Sequence, residues 1–181
     1  FLHLARGSGL RGLGGIYPVN GMYIRPLLCV GRKEIEDYLK GREMPYCIDA
    51  TNMEDAYMRN RIRNHVIPYF KENINEKTVE HMNRSMDQLR EIWDYMERQT
   101  ESAYQICTAQ NGEKICIHAE AYHRQERLIR KMILRKALAL VAEHEKDLEQ
   151  VHVEKLEGLF EKQVGKRLDL PYAVCACRTY E

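Results

Sequence analysis

Three arginines within five positions, Arg59-Asn60-Arg61-Ile62-Arg63, form the stretch in which residue type and spacing most clearly invite chemistry. On a helix turning about 100° per residue, Arg59 and Arg63 fall on or beside the apolar stripe of Ile62, Val66 and Phe70, and Arg61 and Asn64 face the other way. A guanidinium taken out of water without a partner is strongly disfavoured. Two arginines on a core-facing stripe therefore ask for an anion. A carboxylate could come from Asp49 or Asp55, in the polar loop just upstream. A phosphate would suit the planar fork of arginine. Spacing leaves both open.

A second candidate lies near the start of the chain, where Gly7, Gly9, Gly12, Gly14 and Gly15 cluster with Arg6 and Arg11. Glycine lets backbone N–H groups approach an anion closely, and it equally serves a tight connection. Gly7 reads as a left-handed cap that ends a first helical turn. Other chemistry is missing. No H-E-x-x-H, Walker A or G-x-S-x-G run occurs, and the seven histidines form no local signature. The six cysteines include no C-x-x-C pair and read as reduced thiols, with no metal site expected.

The elements that must position these residues follow from periodicity. Residues 1–50 mix short helices and strands, with an Asn20-Gly21 hairpin signal and a helix over 32–40. The arginine helix spans about 57–72, and Pro68 should kink it or end its regular hydrogen bonding near Asn64. A long helix from Asn75 to about Cys107 carries the seam Val79, Met82, Met86, Leu89, Trp93, Met96, Thr100, Ala103 and Cys107. That seam predicts core packing within one chain, with a homodimeric coiled coil as the alternative. A second long helix is expected over 121–143, with Leu128, Met132, Ile133, Leu140 and Val141 buried. A third follows over 153–163, with Leu156, Leu159 and Phe160 inward. Two strands then flank the Pro171-Tyr172 turn.

Net charge is +1, so no global basic field marks the chain as a nucleic-acid binder. The excess of basic over acidic residues is confined to the first 73 residues. No apolar run is long enough to span a membrane and no signal peptide is visible, which predicts a cytoplasmic protein. Phe1-Leu-His-Leu-Ala reads as mid-helix without an initiator Met, and a fragment of a longer chain is expected.

The order of motifs adds a resemblance. Arg6-Gly-Ser-Gly-Leu-Arg-Gly-Leu13, Arg25-Pro-Leu-Leu28, Arg32-x-Glu34-Ile35-x-x-Tyr38-Leu39, Asp49-x-Thr-Asn52 and Tyr57-x-Arg59-Asn60-Arg61-Ile62-Arg63-x-x-Val66-x-Pro68 follow one another. Together they resemble the bacterial tRNA(Ile)-lysidine synthase family of PP-loop ATP-pyrophosphatases, as does Gly165-Lys-Arg-Leu-Asp-Leu-Pro171 further on. Asp49-Ala-Thr-Asn52 is a mild variant of that family's Asp-x-Ser/Thr-Asn loop.

The resemblance implies an ATP-dependent ligase that joins L-lysine to cytidine 34 of the CAU-anticodon tRNA(Ile), with ATP and Mg2+ as cofactors. It implies a mainly α chain: residues 1–73 as the α/β tail of a truncated PP-loop (adenine nucleotide α-hydrolase-like) domain, residues 74–163 as a helical tRNA-binding domain, and residues 164–181 as the start of a C-terminal domain. The family's Ser-Gly-Gly-x-Asp-Ser ATP loop does not occur in residues 1–181, so this stretch alone is expected to be inactive. Arg59 and Arg63 would approach the ATP phosphates or the adenylated base. Arg6, Gly7, Gly9, Arg11 and Gly12 would form a nucleotide-side loop. Two alternatives are another PP-loop tRNA enzyme such as a thiolase, whose cysteine motifs Cys29 and Cys47 do not match, and a non-enzymatic helical interaction module.

Overall fold

The computed structural model describes residues 1–47, 55, 57–144 and 148–180. The expectations placed on Asp49 and Asn52 fall outside these residues. The described chain is mainly helical with three two-stranded antiparallel hairpins, and by its contacts it divides into two compact units, Phe1–Trp93 and Asp94–Glu181.

The first unit opens with two single-turn helices, α1 (Leu2–Ala5) and α2 (Leu10–Leu13). Strands β1 (Val19–Asn20) and β2 (Tyr23–Ile24) pair across Asn20-Gly21, with Gly21 at φ +58°. A 3-10 turn at Pro26–Cys29 leads into α3 (Arg32–Gly41). The Glu34 side chain accepts the Gly31 backbone N–H at 2.6 Å and so satisfies one orphan amide of the α3 start. The arginine helix comes in three pieces: α4 (Met58–Arg61), a π-helical turn (Ile62–Val66) and α5 (Ile67–Asn73). Proline lacks an N–H and its ring crowds the carbonyl four residues back. For Pro68 that carbonyl belongs to Asn64, and the wider π turn falls there, where the sequence predicted the regular bonding to fail.

Helix α6 (Thr78–Cys107) is the longest element. Asn75 leads into it, its Oδ1 accepting from Lys77 N at 2.8 Å and its carbonyl accepting from Thr78 Oγ1 at 2.6 Å. The seam is buried within the chain toward its end, where Thr100, Ala103 and Cys107 are almost inaccessible. Met86, Leu89, Trp93 and Met96, expected to be largely buried, are only half-buried.

The second unit holds the hydrophobic core. Strands β3 (Thr108–Asn111) and β4 (Lys114–Ile117) pair around Gly112, at φ +61°. The single helix expected over 121–143 is instead two, α7 (Ala119–His123) and α8 (Arg127–Ala142), broken at 124–126. The buried face of α8 is also not the expected one. Ile129, Ile133, Leu134, Ala137, Leu138 and Ala142 are buried, whereas Leu128 and Leu140 are 50% and 52% exposed and Val141 is exposed as well. Only Ile133 was placed correctly inside, with Met132 half-buried. The break before Arg127 resets the phase of the helix, and small alanines contribute to the packed side.

Tyr122 on α7 is fully buried and stacks on Phe160, rings 4.4 Å apart and 4° from parallel. Burial pushes its hydroxyl pKa up. Helix α9 (Gln150–Leu159) adds Val153 and Leu156 to this core. Strands β5 (Arg167–Asp169) and β6 (Cys175–Cys177) close a second cluster of Leu138, Leu148 and Leu170. Tyr172 and Ala173 form their turn at φ +62° and +58°.

Candidate functional site

The arginine helix and the glycine loop both lie in the first unit, and the two are linked by an edge-on contact of Phe1 with Phe70, ring centroids 5.0 Å apart. The helix presents its arginines differently from the simple wheel. Arg59, Arg61 and Arg63 are all exposed, and Asn60, Ile62, Asn64, Val66, Ile67, Pro68 and Phe70 make the covered side. The expectation that Arg59 and Arg63 rise from a buried stripe is thus overturned. The π turn changes the rotation per residue, and long side chains carry their charged heads to water even from the edge of an apolar face.

With that burial gone, desolvation no longer obliges Arg59 or Arg63 to hold an anion. No hydrogen bond or ion pair to a described residue engages either one. Of the two carboxylates expected to pair with them, Asp49 lies outside the described residues and Asp55 has other partners. Asp55 Oδ2 accepts from His65 Nε2 at 2.6 Å, and Asp55 Oδ1 accepts from Asn64 Nδ2 at 3.3 Å. Arg61 Nε donates to the Asp55 backbone carbonyl at 2.9 Å. The bond from His65, then the one from Asn64 and the nearby charges, hold the Asp55 carboxyl below its ordinary pKa. Asn64, His65 and Arg61 therefore clip Asp55 to the far side of the helix, and none of these bonds involves Arg59 or Arg63. No local signal marks this clip, because Asp55 and His65 are ten residues apart.

In the glycine loop, Gly7 has φ +68°, the left-handed cap expected after α1, and Arg6 closes that helix. Gly12 is required by packing, since a Cβ there would come within 2.8 Å of the Ser8 Cβ. Gly9 caps α2 with an extended backbone, and nothing lies within 4 Å of where its Cβ would be. Glycine is among the residues favoured at a helix N-cap, and the open space beside it leaves its backbone accessible. Arg6 and Arg11 are exposed.

One contributor went unread in the sequence. Arg90, on α6, donates through Nε to Gly14 O at 2.7 Å and through Nη2 to Ile16 O at 3.2 Å, and its Nη1 pairs with Asp87 at 2.6 Å. Its guanidinium also lies 5.7 Å from the Tyr17 ring centre. This one side chain ties the exit of the glycine loop to the long helix. Gly14 makes room for it, because a Cβ there would lie 3.0 Å from Arg90 Cγ.

A glycine loop before a short helix, joined to an arginine-bearing helix, defines a candidate site for a phosphate-bearing ligand. Residues 1–70 match a family model described as a PP-loop domain. Across nearly its whole length the chain is similar to tRNA(Ile)-lysidine synthases, as its motifs implied. The protein of that name from Caldanaerobacter subterraneus subsp. tengcongensis is 41% identical over 99% of this chain and 38% of its own length. Those from Clostridium perfringens and Clostridium acetobutylicum are 34% and 33% identical, over 97% and 99% of this chain and 37% and 39% of their own lengths. The chain thus spans less than two fifths of the curated relatives it matches.

Among the described residues, no group of three or more His, Cys, Asp or Glu side chains is placed to hold a metal ion. Also among these residues, no helix is long and apolar enough to cross a membrane.

Proposed function

We propose that the protein carrying this chain is a cytoplasmic tRNA(Ile)-lysidine synthase, which uses ATP to join L-lysine to cytidine 34 of the CAU-anticodon tRNA(Ile). In this reading residues 1–73 are part of the ATP-pyrophosphatase catalytic domain, residues 74–163 the helical tRNA-binding domain, and residues 164–181 the start of a C-terminal domain. Similarity to enzymes of that name over nearly all of the chain carries the reading, and the exposed arginines fit it.

Adenylation activates the cytosine carbonyl, and the lysine amine then displaces AMP. The residues of this chain would serve the phosphates. Arg59 and Arg63 are exposed on the helix, one turn apart, with no partner among the described residues, and a bidentate guanidinium matches phosphate geometry. The backbone at Gly9, with Arg6, Gly7, Arg11 and Gly12 around it, would accept a close anion. Mg2+ finds no carboxylate set among the described residues, and no step here runs through it.

The reading is tested by assaying the full-length protein for ATP-dependent incorporation of lysine into CAU-anticodon tRNA(Ile), alongside the Arg63→Ala variant. Incorporation by the wild type, lowered ~10²–10³-fold in the variant, is the expected result, the size of losing one preorganised donor. No incorporation by the wild type would sink the reading. A folded Arg63→Ala enzyme with normal turnover would remove Arg63 from it.

A further inference from the structure

We propose that the cleft between α9 and β5 is an RNA phosphate-binding groove. The proposal rests on the tRNA-modifying reading above, and it concerns a surface remote in sequence from the arginine helix. The cleft has a volume of about 490 Å3 and is lined by Lys155, Gly158, Leu159, Lys162, Lys166 and Arg167, together with Leu168. Four of these residues are cationic and none is acidic. Gly165, at φ +88°, turns the chain so that Lys166 and Arg167 come back beside α9, and its N–H donates to Arg178 O at 2.7 Å.

Two acids of the same segment have partners of their own. Glu154 accepts from Gln150 at 2.9 Å, and Glu157 faces Arg130 at 4.0 Å. No ion pair to a described residue neutralises Lys155, Lys162, Lys166 or Arg167. A cleft whose lining gathers four exposed cations and no carboxylate suits an anion. Lys155 lies on α9, Lys162 in the turn after it, Lys166 just ahead of β5 and Arg167 on β5, so the cations come from successive segments, as contacts to a chain of phosphates would.

Gly158, on the cleft wall between Lys155 and Lys162, supports the same reading. Its φ is not positive, and nothing lies within 4 Å of where its Cβ would be. Glycine weakens a helix relative to alanine, and neither packing nor backbone conformation requires it here. What its missing side chain provides is space on the wall, where a sugar-phosphate backbone can approach. Leu159 and Leu168 offer an apolar surface to the sugar faces.

The experiment measures fluorescence anisotropy of labelled CAU-anticodon tRNA(Ile) with the full-length protein over a series of salt concentrations. It compares the wild type, the quadruple Lys155→Gln, Lys162→Gln, Lys166→Gln, Arg167→Gln variant, and Gly158→Gln alone. The wild-type affinity should fall steeply with salt. The quadruple variant should bind at least ~10-fold more weakly at low salt, with the slope of log affinity against log salt reduced by about three. Gly158→Gln should weaken tRNA binding while its melting temperature stays level or rises, opposite signs that a structural role would not produce. Binding by both variants at wild-type strength and slope would overturn the groove and leave the ligase reading standing. If the wild type binds no tRNA, the ligase reading falls and the groove with it. Charge-dependent binding to phosphatidylserine vesicles in place of tRNA would also overturn the groove.

Discussion

Arg63 and Asp55 show how much can turn on a single side chain. Arg63 is exposed and engages no described residue, so Arg63→Ala should leave the melting temperature of the protein unchanged while lowering lysine incorporation. Arg63→Lys should recover little, because one ammonium cannot reproduce the fork. A fall in melting temperature that tracks the loss of activity would instead make Arg63 structural. Asp55 makes the opposite forecast. Its pKa is depressed in the folded state, so its contribution to stability is present above the ordinary carboxylate range of about 4 and is lost as pH falls through the lowered value. Asp55→Asn should melt below the wild type near neutral pH, and the two melting curves should converge as the pH drops well under 4. Calorimetric melts across that range check this. Curves that stay parallel would show that the bond from His65 carries no stability.

At the scale of elements, α8 is the clearest case of a face chosen by its neighbours. Its charged residues Arg127, Arg130, Lys131, Arg135 and Lys136 interleave with the apolar ones around the helix, so periodicity alone marks its inner face poorly. Contact with β4 and α9 selects Ile129, Ile133, Leu134, Ala137 and Leu138. Ile133→Ala should cost ~2–5 kcal/mol of unfolding free energy, the range for emptying a packed site. Leu128→Ala should stay within about 0.5 kcal/mol, as surface changes do. Denaturant midpoints for the two variants decide the matter, and equal losses would contradict the observed face. The π turn is a second case, because Pro68 dictated that regular bonding must fail near Asn64 but not what would replace it. The α6 seam is a third. Its 3-4 spacing was legible, but its burial is graded, from half-covered Met86 and Leu89 to inaccessible Cys107.

Across the whole molecule, burial is distributed unevenly. Every buried hydrophobic residue from Ala103 to Leu170 belongs to the second unit, while Met22, Ile24 and Leu27 of the first are 88%, 73% and 63% exposed. Amide exchange follows buried contact density. Protection should therefore be strongest across Thr100–Cys107 and Ile129–Ala142 and weak over residues 1–47. Exchange measured by mass spectrometry checks this, and uniform protection along the chain would contradict it.

The sequence by itself determined what local chemistry can dictate. It marked the Asn20-Gly21 hairpin, the left-handed Gly7, the failure of regular bonding ahead of Pro68, the long α6 seam, and the strands on either side of Pro171-Tyr172. Each follows from backbone sterics or from a period repeated over many residues. Its motif order also pointed to tRNA(Ile)-lysidine synthases, to which the chain is similar over nearly its whole length. Only the tertiary structure decided the rest. It exposed Arg59 and Arg63, because a π turn shifts phase in a way that a wheel of constant step cannot represent. It gave Asp55 to His65 and Asn64, and it set Arg90 on the carbonyls of Gly14 and Ile16, more than seventy residues away in the chain. Such pairings depend on which elements pack together, and that is settled by the burial of many apolar side chains at once rather than by any short stretch of residues.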